Sequence, residues 1–534
     1  MSPRPHVTTR IDHVRNAVVG VLFRPLRWFS PPTQFAIGFA GLALLTTAVL
    51  ARWPYAYRTL GLLATVCVSY FIVWRFVRYR AATVDLLISR ERVFALVGSA
   101  ILVEATVIRF GYIVTNAIAA QNAGPPFDSS SAWSFAIPFA AAALLVRSLL
   151  DRQLSLFVGV VTALVAATLA SHGITPALYA FTSCAAAAYG IKRYHERQTV
   201  TFAGLIVAGV NILTAMAITL VTSTRFHFID LIIAALLGFA GGLLTIVFAA
   251  GGVPINESLF GVLTDVRLLE LTNAELPVLS QLAIRAPGTN QHSHTVGQLA
   301  EDACRAIGAN AMLARVGALY HDIGKVAAPD HFVENQTGEN PHDRLRPIQS
   351  AKIITSHVTY GLRLANEIGL PKRVADFIPQ HHGTRTLHFF LSKARAEGNC
   401  KINERDFRYP GPKPQFREAA ILMLADSAEA AAKSLAQPNA ENIRTIVSKI
   451  FDAVVSDGQL DESQLTLHQL RQLRETMVNS LVAIYHPRIH YPGFNFPSES
   501  PEPPLQHLTY AEAADVPINP SGEVEEEAVS RTDR

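Results

Sequence analysis

Charged residues are scarce in this sequence. Asp, Glu, Lys and Arg make up 16% of its 534 residues, whereas half of the chain is apolar. That balance is unusual for a soluble protein. The average also hides an asymmetry, because charges are sparse and clustered up to about Gly252 and mixed throughout the chain beyond it. One half is therefore expected to lie in lipid and the other in water.

A large net charge is absent too. The formal value is +4, and the positive excess lies in the N-terminal segment and in certain loops of the apolar half. This distribution gives no indication of binding to a nucleic-acid polymer, and none is expected as a partner.

Cysteine is nearly absent. The four residues are far apart in the sequence and lack paired spacing, and two of them lie in apolar stretches. The pattern favours neither a disulfide framework nor a zinc–cysteine site. The four are Cys67, Cys184, Cys304 and Cys400.

Alternating β-type segments and glycine-rich phosphate loops are also missing, which argues against a doubly wound nucleotide-binding sheet. From about Thr289 to His486, apolar residues recur at three- and four-residue spacing, with breaks at Pro329, Pro341 and Pro371. The predicted fold class is all-α: a polytopic transmembrane helical bundle followed by an all-α cytosolic domain.

Long apolar runs dominate the first half. Runs of about 18 residues or more indicate membrane-spanning helices, and an even number of spans places both chain ends on one side of the membrane. Eight runs are found, at 34–51, 59–77, 93–114, 133–149, 154–171, 174–190, 200–222 and 228–250.

The basic residues of the connecting segments predict which side is cytoplasmic, because short loops rich in Lys and Arg stay inside. The connections around 115–132 and 171–175 contain neither Lys nor Arg, and they are expected outside. We therefore expect a multi-pass protein of the cell inner membrane whose N-terminus and C-terminal half are cytoplasmic. The basic residues are Arg4, Arg10, Arg15, Arg24 and Arg27 in the N-terminal arm, Arg75, Arg78, Arg80, Arg90 and Arg92 in the second connection, and Lys192, Arg193 and Arg197 in the sixth.

Two ionisable residues, Glu104 and Arg109, fall within the third predicted span. Charges are costly in lipid, so both are expected to face other helices or each other. Five residues apart, they do not share one helix face well. They could line a ligand or signal-sensing pocket, or make polar contacts that fix helix packing, and the second interpretation is favoured. A transporter function would draw on this half, but no paired broken helices support it.

These patterns divide the chain into five regions. They are a basic cytosolic arm (1–33), a transmembrane domain of about eight helices (34–252), a connector (253–288), an all-α domain (289–490) and a disordered acidic tail (491–534).

Seven His and Asp residues in the second half carry the chemistry. Helices that meet in a bundle can direct such residues at one cavity. Five imidazoles and two carboxylates exceed the needs of one metal ion, and they suit two first-row ions bridged by a carboxylate. Asp322, next to a histidine, is the natural bridge, and the reaction indicated is phosphoester hydrolysis. The seven are His292, His321, Asp322, His357, His381, His382 and Asp426.

Each motif alone is weak, since a His-Asp pair is more often an ordinary helix-end pair than a metal site, and the combination is what persuades. Lys325 is assigned with Asp322 to catalysis. It could contact a substrate phosphate as a point charge, or it could be a solvated helix-end cation, and the sequence favours neither. His294 is expected at the rim. His331, His342 and Asp343 are left outside the site.

The strings around these residues resemble the HD-domain hydrolases, and within them the membrane-anchored seven-transmembrane receptor HD family of bacterial cyclic di-AMP phosphodiesterases. The resemblance runs from about 255 to 485 and continues more loosely into the later spans. The matching strings are TDVRLLEL (264–271), APGTNQHS (286–293), HDIGKVAAPDHFVENQ (321–336), NPHDRL (340–345), IITSHVTYG (353–361), LPKRVADFIPQHHGT (370–384) and ADSAEAAAKSL (425–435).

The resemblance implies hydrolysis of cyclic di-AMP to linear pApA by two divalent transition-metal ions, with manganese or iron as the leading choices. It also implies how the ligands divide. One ion would take His292, His321, Asp322 and Asp426, and the other Asp322, His357, His381 and His382.

The chain departs from the family pattern at two places. The first connection, Arg52 to Arg58, leaves no room for the large extracytoplasmic domain usual in the family. The APGT string continues as Asn290-Gln291-His292-Ser293, where the family often has Tyr-His-His-Ser, so the ligand histidine is retained.

Alternative functions stay open. Cyclic di-GMP hydrolysis by a related HD subgroup would place Gly-Tyr-Pro after the paired histidines, but His382 is followed by Gly383-Thr384-Arg385. Another nucleotide phosphohydrolase is a weaker alternative. A membrane sensor or scaffold that uses the fold only for binding should have lost ligands, and none is missing. The expected partners are a cyclic dinucleotide and the lipid bilayer, and a homodimer stays open.

Overall fold

The structure is a computed structural model. It describes residues 30–52, 56–84, 88–121, 124, 129–170, 174–191, 194, 196–223, 227–397 and 402–485. The basic arm up to residue 29, the acidic tail, Lys192, Arg193 and Cys400 lie outside this part of the chain. Within it there are helices and no β-strand, so the all-α fold class is confirmed.

The first half contains helices at all eight predicted places, and those at the fourth place are short. Seven segments have the length and apolar composition of a membrane span within the described residues. The helices are α1 (Pro31–Leu50), α2 (Ala56–Thr83), α3 (Arg90–Gln121), α4 (Ser130–Trp133), α5 (Ala141–Leu149), α6 (Arg152–Leu169), α7 (Thr175–Gly190), α8 (Gln198–Thr222) and α9 (Phe228–Phe260).

The prediction of eight spans depends on α7. This helix has 16 residues, which corresponds to about 24 Å, while the hydrocarbon core of a bilayer is about 30 Å thick. The fourth predicted span is interrupted, because the short helix α4 and a turn of 3-10 helix at Ser134–Ala136 precede α5. The eighth span therefore stays a prediction.

Glu104 and Arg109 have separate partners. Glu104 is buried and accepts a hydrogen bond from the backbone N–H of Ala142, in the first turn of α5, at 3.0 Å. Arg109 donates to the carbonyl of Ala51, just past the end of α1, at 3.0 Å. Both contacts satisfy backbone groups at helix ends, as the packing interpretation expects.

The last apolar helix runs further than its composition predicts. α9 continues through Pro254 to Phe260 and ends at Gly261, whose φ is 67°. The predicted boundary at residue 252 therefore falls inside a helix. A proline inside a helix removes one N–H and crowds the carbonyl four residues earlier, and α9 continues past Pro254 despite both effects.

The second half is an assembly of shorter helices, with single turns of 3-10 helix between them. They are α10 (Asp265–Glu270), α11 (Pro277–Arg285), α12 (Pro287–Ile307), α13 (Ala311–Tyr320), α14 (Pro347–Glu367), α15 (Lys372–Ala375), α16 (Phe377–Gln380), α17 (His388–Ala396), α18 (Arg417–Lys433), α19 (Ala440–Ser456) and α20 (Leu467–Tyr485). The 3-10 turns are Ile323–Ala327, Pro329–His331, Val333–Asn335, Pro341–Arg344 and Glu404–Phe407.

Two helices form the middle of this assembly. α18 is almost entirely buried, and it packs against α12, α13 and α19. The N-terminus of α13 is capped by Asn310, whose side chain accepts from the N–H of Leu313 at 3.0 Å. Its other end brings His321 and Asp322 into the interior.

The connector joins the two halves by polar contacts. Arg197, in the sixth connection, pairs with Glu270 of α10 at 2.6 Å. The hydroxyl of Tyr320 donates to the carbonyl of Leu271, the residue after α10, at 2.8 Å. The connector therefore touches both the membrane half and the residue that precedes His321.

Candidate metal centre

Five segments bring the seven predicted ligands together. His292 lies on α12, His321 and Asp322 follow α13, and His357 lies on α14. His381 and His382 follow the short helix α16, and Asp426 lies on α18. All are buried except His382, whose side chain is 20% exposed. The structure thus places together residues that are up to 134 positions apart in the sequence.

Asp322 lies at the middle of the cluster, and its two carboxylate oxygens face different histidines. Oδ1 lies 3.4 Å from Nε2 of His357 and 3.5 Å from Nε2 of His381. Oδ2 lies 3.1 Å from Nε2 of His321 and 3.9 Å from Nε2 of His292. One carboxylate therefore faces two separate groups of imidazoles.

Three of the histidines are oriented by the backbone in the same way. Nδ1 of His321, His357 and His381 donates to the carbonyl three residues earlier, at 2.6, 2.6 and 2.8 Å. A donated Nδ1 proton leaves Nε2 as the unprotonated nitrogen of a neutral ring, and it turns that atom toward the centre. This is the arrangement of metal-ligating histidines, whose other nitrogen is held by a hydrogen bond.

The donor atoms form two groups in which all members lie within 4.8 Å of one another. One group is Asp322, His357, His381 and His382, and the other is His292, His321 and Asp426. Neighbouring ligand atoms on one ion, each about 2.0–2.2 Å from it, are separated by about 3.0–3.5 Å. Oδ1 of Asp322 lies 3.4 and 3.5 Å from Nε2 of His357 and His381, and Nε2 of His292 lies 3.0 Å from Oδ1 of Asp426, so these pairs fit that range.

Buried atoms without partners support the same interpretation. Nε2 of His321 and Oδ1 of Asp322 are buried and make no hydrogen bond to any described residue. Such atoms are costly to leave unsatisfied. One ion in each group would satisfy both, because Nε2 of His321 and Oδ1 of Asp322 face different groups.

The pKa values of these side chains suit residues that bind a metal ion. Burial lowers the pKa of His357 to about 3, and burial with the nearby His381 lowers the pKa of His382 well below its ordinary value. Both rings are therefore neutral at physiological pH. Although burial opposes ionisation, His321 and Lys325 hold the pKa of Asp322 well below its usual range.

His292 differs from the other histidines. Its Nε2 lies 3.0 Å from Oδ1 of Asp426, and its Nδ1 lies 2.7 Å from Oε2 of Glu429. Burial alone would lower the pKa of this ring, but the two carboxylates raise it to about 10. An ion bound here would displace a proton from His292, because a ligating imidazole must be free of a proton on the nitrogen that binds.

Three neighbours were not predicted from the sequence. Glu429 orients His292, Glu334 pairs with Lys325, and the ring of Tyr409 stacks on His382 with centroids 4.2 Å apart. Glu429 could have been found, because it lies one helical turn after Asp426 and so shares its face. Glu334 lies within the matching string 321–336, which marks the segment without singling out this residue, and the sequence around Tyr409 gives no such signal.

The other predicted residues have clear places. Lys325 is not a solvated cation, since its side chain is 12% exposed and pairs with Asp322 at 2.8 Å and Glu334 at 2.7 Å. His294 is exposed. His342 is buried and its Nε2 donates to the carbonyl of His331 at 2.9 Å, so these two residues interact with each other, and neither belongs to the two groups of donors.

Removing the carboxylate of Glu429 should weaken metal binding. We expect Glu429→Gln to lower the affinity of the His292 group for Mn²⁺ by about 10- to 100-fold, the usual effect of losing a carboxylate behind a ligating histidine. Metal titration followed by elemental analysis measures this. Glu441, on the outer helix α19, supplies the control Glu441→Gln, and equal loss in both variants would contradict the assignment.

The fold and this cluster define a class of protein. It is a multi-pass helical membrane protein joined to an all-α domain that carries histidines and aspartates able to hold metal. A family model described as a 7TM receptor with intracellular HD hydrolase matches residues 56–264, and a model of the HD domain matches residues 289–431. The chain belongs to the family of seven-transmembrane HD hydrolases.

Several known proteins are similar to this chain. It is 38% identical over 365 residues to the cyclic-di-AMP phosphodiesterase PgpH of Bacillus subtilis, an alignment that covers 67% of this chain and 51% of that protein. It is 37% identical over 364 residues to PgpH of Listeria monocytogenes, covering 67% and 50% respectively. The chain thus spans about half the length of the curated relatives it matches.

A crystal structure of the HD domain of L. monocytogenes PgpH in complex with cyclic-di-AMP is also similar. The two sequences are 45% identical, and the superposition has a TM-score of 0.39. The alignment covers 40% of this chain and all of the crystallised chain.

Proposed function

We propose that this protein is a membrane-anchored, binuclear-metal phosphodiesterase that hydrolyses cyclic di-AMP to pApA. The observation that carries the proposal is Asp322, whose two oxygens face separate groups of histidines in a chain 38% identical to a protein named for this activity. A single-ion site would not need a carboxylate between two groups of ligands.

The division of ligands follows the two groups. His292, His321 and Asp426 would hold one divalent ion, and His357, His381 and His382 the other, with Asp322 shared. Manganese and iron suit a set of imidazoles and carboxylates. When bound, such a pair of ions lowers the pKa of a shared water and stabilises the charge on a phosphoryl group under attack.

The chain's own residues hold this arrangement in place. The backbone carbonyls behind His321, His357 and His381 fix the ring orientations, and Glu429 fixes His292. Because these groups are set before substrate arrives, little reorganisation is needed during the reaction.

Lys325 is proposed to orient Asp322 and to add a positive charge beside it. Burial alone would lower the pKa of this ammonium, but Asp322 and Glu334 raise it above its ordinary value, so it is charged. A contact with a substrate phosphate would compete with one of these carboxylates. The 2.8 Å contact with Oδ2 supports a role in orienting the shared ligand.

Lys325→Met should therefore lower metal affinity as well as turnover. We expect about a 10- to 100-fold loss of Mn²⁺ affinity, as for other groups that orient a ligand, and partial recovery of turnover at high Mn²⁺. Lys352, an exposed lysine of α14, supplies the control Lys352→Met. Unchanged Mn²⁺ affinity with reduced turnover would instead assign Lys325 to substrate.

The segment after the paired histidines argues against the cyclic di-GMP subgroup. Gly383 has a φ of 54°, and the N–H of Thr384 donates to Gln459 at 3.0 Å. This turn lacks the Gly-Tyr-Pro sequence of the cyclic di-GMP subgroup.

We propose that the protein lies in the cell inner membrane with its N-terminus and HD domain in the cytoplasm. The basic connections support this orientation. The family match covers residues 56–264 and therefore begins after α1. This range contains seven segments of membrane character if the short helix α7 is included. Counting α1 makes eight, which would place both ends of the membrane domain on one side.

A direct assay tests the proposed function. The full-length protein, purified in detergent and loaded with Mn²⁺, is incubated separately with cyclic di-AMP, cyclic di-GMP and ATP, and products are separated by chromatography. We expect pApA from cyclic di-AMP at the highest rate. Preferred cleavage of cyclic di-GMP or ATP would transfer the assignment to the corresponding alternative, and no cleavage would favour a sensor or scaffold.

A further inference from the structure

A groove lies between α1 and α3 in the membrane domain, and the proposed chemistry does not use it. Its volume is about 710 Å³, within the range of small-molecule sites. Apolar side chains line its length, among them Leu45, Ala48 and Val49 of α1 and Val103 and Phe110 of α3. Leu45, Val103 and Phe110 are more than half exposed, so the groove opens to the side of the helical bundle.

One end of the groove is positively charged. Arg109 lines this end of the groove and donates a hydrogen bond to the carbonyl of Ala51. Arg52 directly follows Ala51 in the sequence. Partial burial and the charge of the nearby Arg109 lower the pKa of Arg52, although this side chain stays largely exposed. Within the described ranges, neither arginine has an ion pair with a carboxylate.

A further polar group near the two arginines lacks a partner. Tyr112, one turn after Arg109 on α3, does not line the groove, but it interacts electrostatically with Arg52, and its hydroxyl is buried without a hydrogen bond to any described residue. Two like charges and an unsatisfied hydroxyl, next to an apolar channel, form a surface that is complementary to an anion with an apolar chain.

We infer that this groove binds an anionic glycerophospholipid. The phosphate would lie against Arg52 and Arg109, where it would neutralise their mutual repulsion, and an acyl chain would follow the groove along α1 and α3. A free phosphate would leave the apolar length of the groove without a function, and a neutral lipid would leave the two charges unpaired. The site lies at the C-terminal end of α1, which the proposed orientation places in the outer leaflet.

The experiment compares two lipids with identical acyl chains. The full-length protein in neutral detergent is titrated with phosphatidylglycerol or phosphatidylcholine, and bound lipid is counted by native mass spectrometry. Phosphatidylglycerol should bind more tightly. Arg52→Gln and Arg109→Gln should each weaken it about fivefold, the effect expected for one basic side chain at a membrane surface. Arg90→Gln, at the opposite end of α3, is the matched control.

A second variant tests the apolar part without changing charge. Val103→Trp should fill the groove and weaken binding of both lipids, while Arg52→Gln should reduce only the preference for phosphatidylglycerol. Arg52 is exposed, so its variant should fold even if Arg109→Gln does not.

Three outcomes would overturn the inference. They are equal binding of the two lipids, binding that Val103→Trp leaves unchanged, and displacement of lipid by inorganic phosphate alone. A groove covered by a second copy of the chain would also overturn it, and it would be seen as a dimer that excludes lipid. Hydrolysis of cyclic di-AMP is measured separately, so the two proposals can fail independently.

Discussion

Replacing Asp322 with Asn should abolish hydrolysis and disturb both groups of ligands at once. The neutral amide keeps the shape of the side chain, but it offers a single carbonyl oxygen where the carboxylate offers two charged ones. Oδ1 faces His357 and His381, and Oδ2 faces His321. Asp426 also faces both groups, with Oδ1 3.0 Å from Nε2 of His292 and Oδ2 3.7 Å from Nδ1 of His382, but Asp322 faces more of the histidines.

The expected loss of turnover is about 10³-fold or more. Two ions that share a nucleophilic water and neutralise a phosphoryl group supply several kcal/mol of transition-state stabilisation, and each 1.4 kcal/mol corresponds to about tenfold in rate. Bound Mn²⁺ should fall from two equivalents to one or fewer.

Asp330→Asn is the matched control for this experiment. Asp330 is exposed, lies eight residues further along the chain and belongs to neither group of donors. It should keep full activity and both equivalents of Mn²⁺. An Asp322→Asn protein that retained two equivalents and substantial turnover would contradict the bridging role.

Gly324→Ala should move Asp322 away from His357 through a steric clash between two backbone segments. A Cβ atom at position 324 would lie 1.8 Å from the carbonyl oxygen of His357 and 2.7 Å from the backbone nitrogen of Gly361. These are backbone atoms of α14, so no side chain can rotate to relieve the clash. The 3-10 turn that follows Asp322 and the helix that carries His357 would have to move apart.

The consequences should be visible in stability and in metal content. Overpacking of a well-packed interior typically costs about 1–3 kcal/mol, and a backbone clash lies at the upper end of that range. We expect a lower midpoint of thermal unfolding, loss of the ion held by His357, His381 and His382, and at least about a hundredfold loss of turnover.

Gly338→Ala controls for the change of residue type. Gly338 lies in the same connecting region, and a Cβ atom added there would have no other atom within 4 Å. This variant should therefore match the unmodified protein. If Gly324→Ala also matched it in metal content and turnover, the close approach of the two backbones would not position the site.

Much of the architecture could be predicted because it depends on composition and spacing. Apolar runs located the membrane helices, and the positions of His292, His321, His357 and Asp426 on amphipathic helices predicted that they would meet. The ends of helices were harder. α9 passes through Pro254, as membrane-spanning helices can when neighbouring groups satisfy the freed backbone carbonyl.

The interactions around the ligands could not be predicted in the same way. The burial of Lys325 depends on Glu334, which a turn of 3-10 helix brings within 2.7 Å. The stacking of Tyr409 on His382 depends on a loop that returns from beyond α17. Such contacts join segments that no local pattern relates, so they become visible only when the chain is folded.

The most direct test of the central claim is turnover of cyclic di-AMP measured as a function of bound Mn²⁺. Metal-free full-length protein is loaded stepwise with Mn²⁺, bound metal is counted by elemental analysis, and the initial rate of pApA formation is recorded at each step. A binuclear site predicts little activity up to one equivalent and a rise between one and two. Full activity at one equivalent, or no pApA at two, would contradict the account.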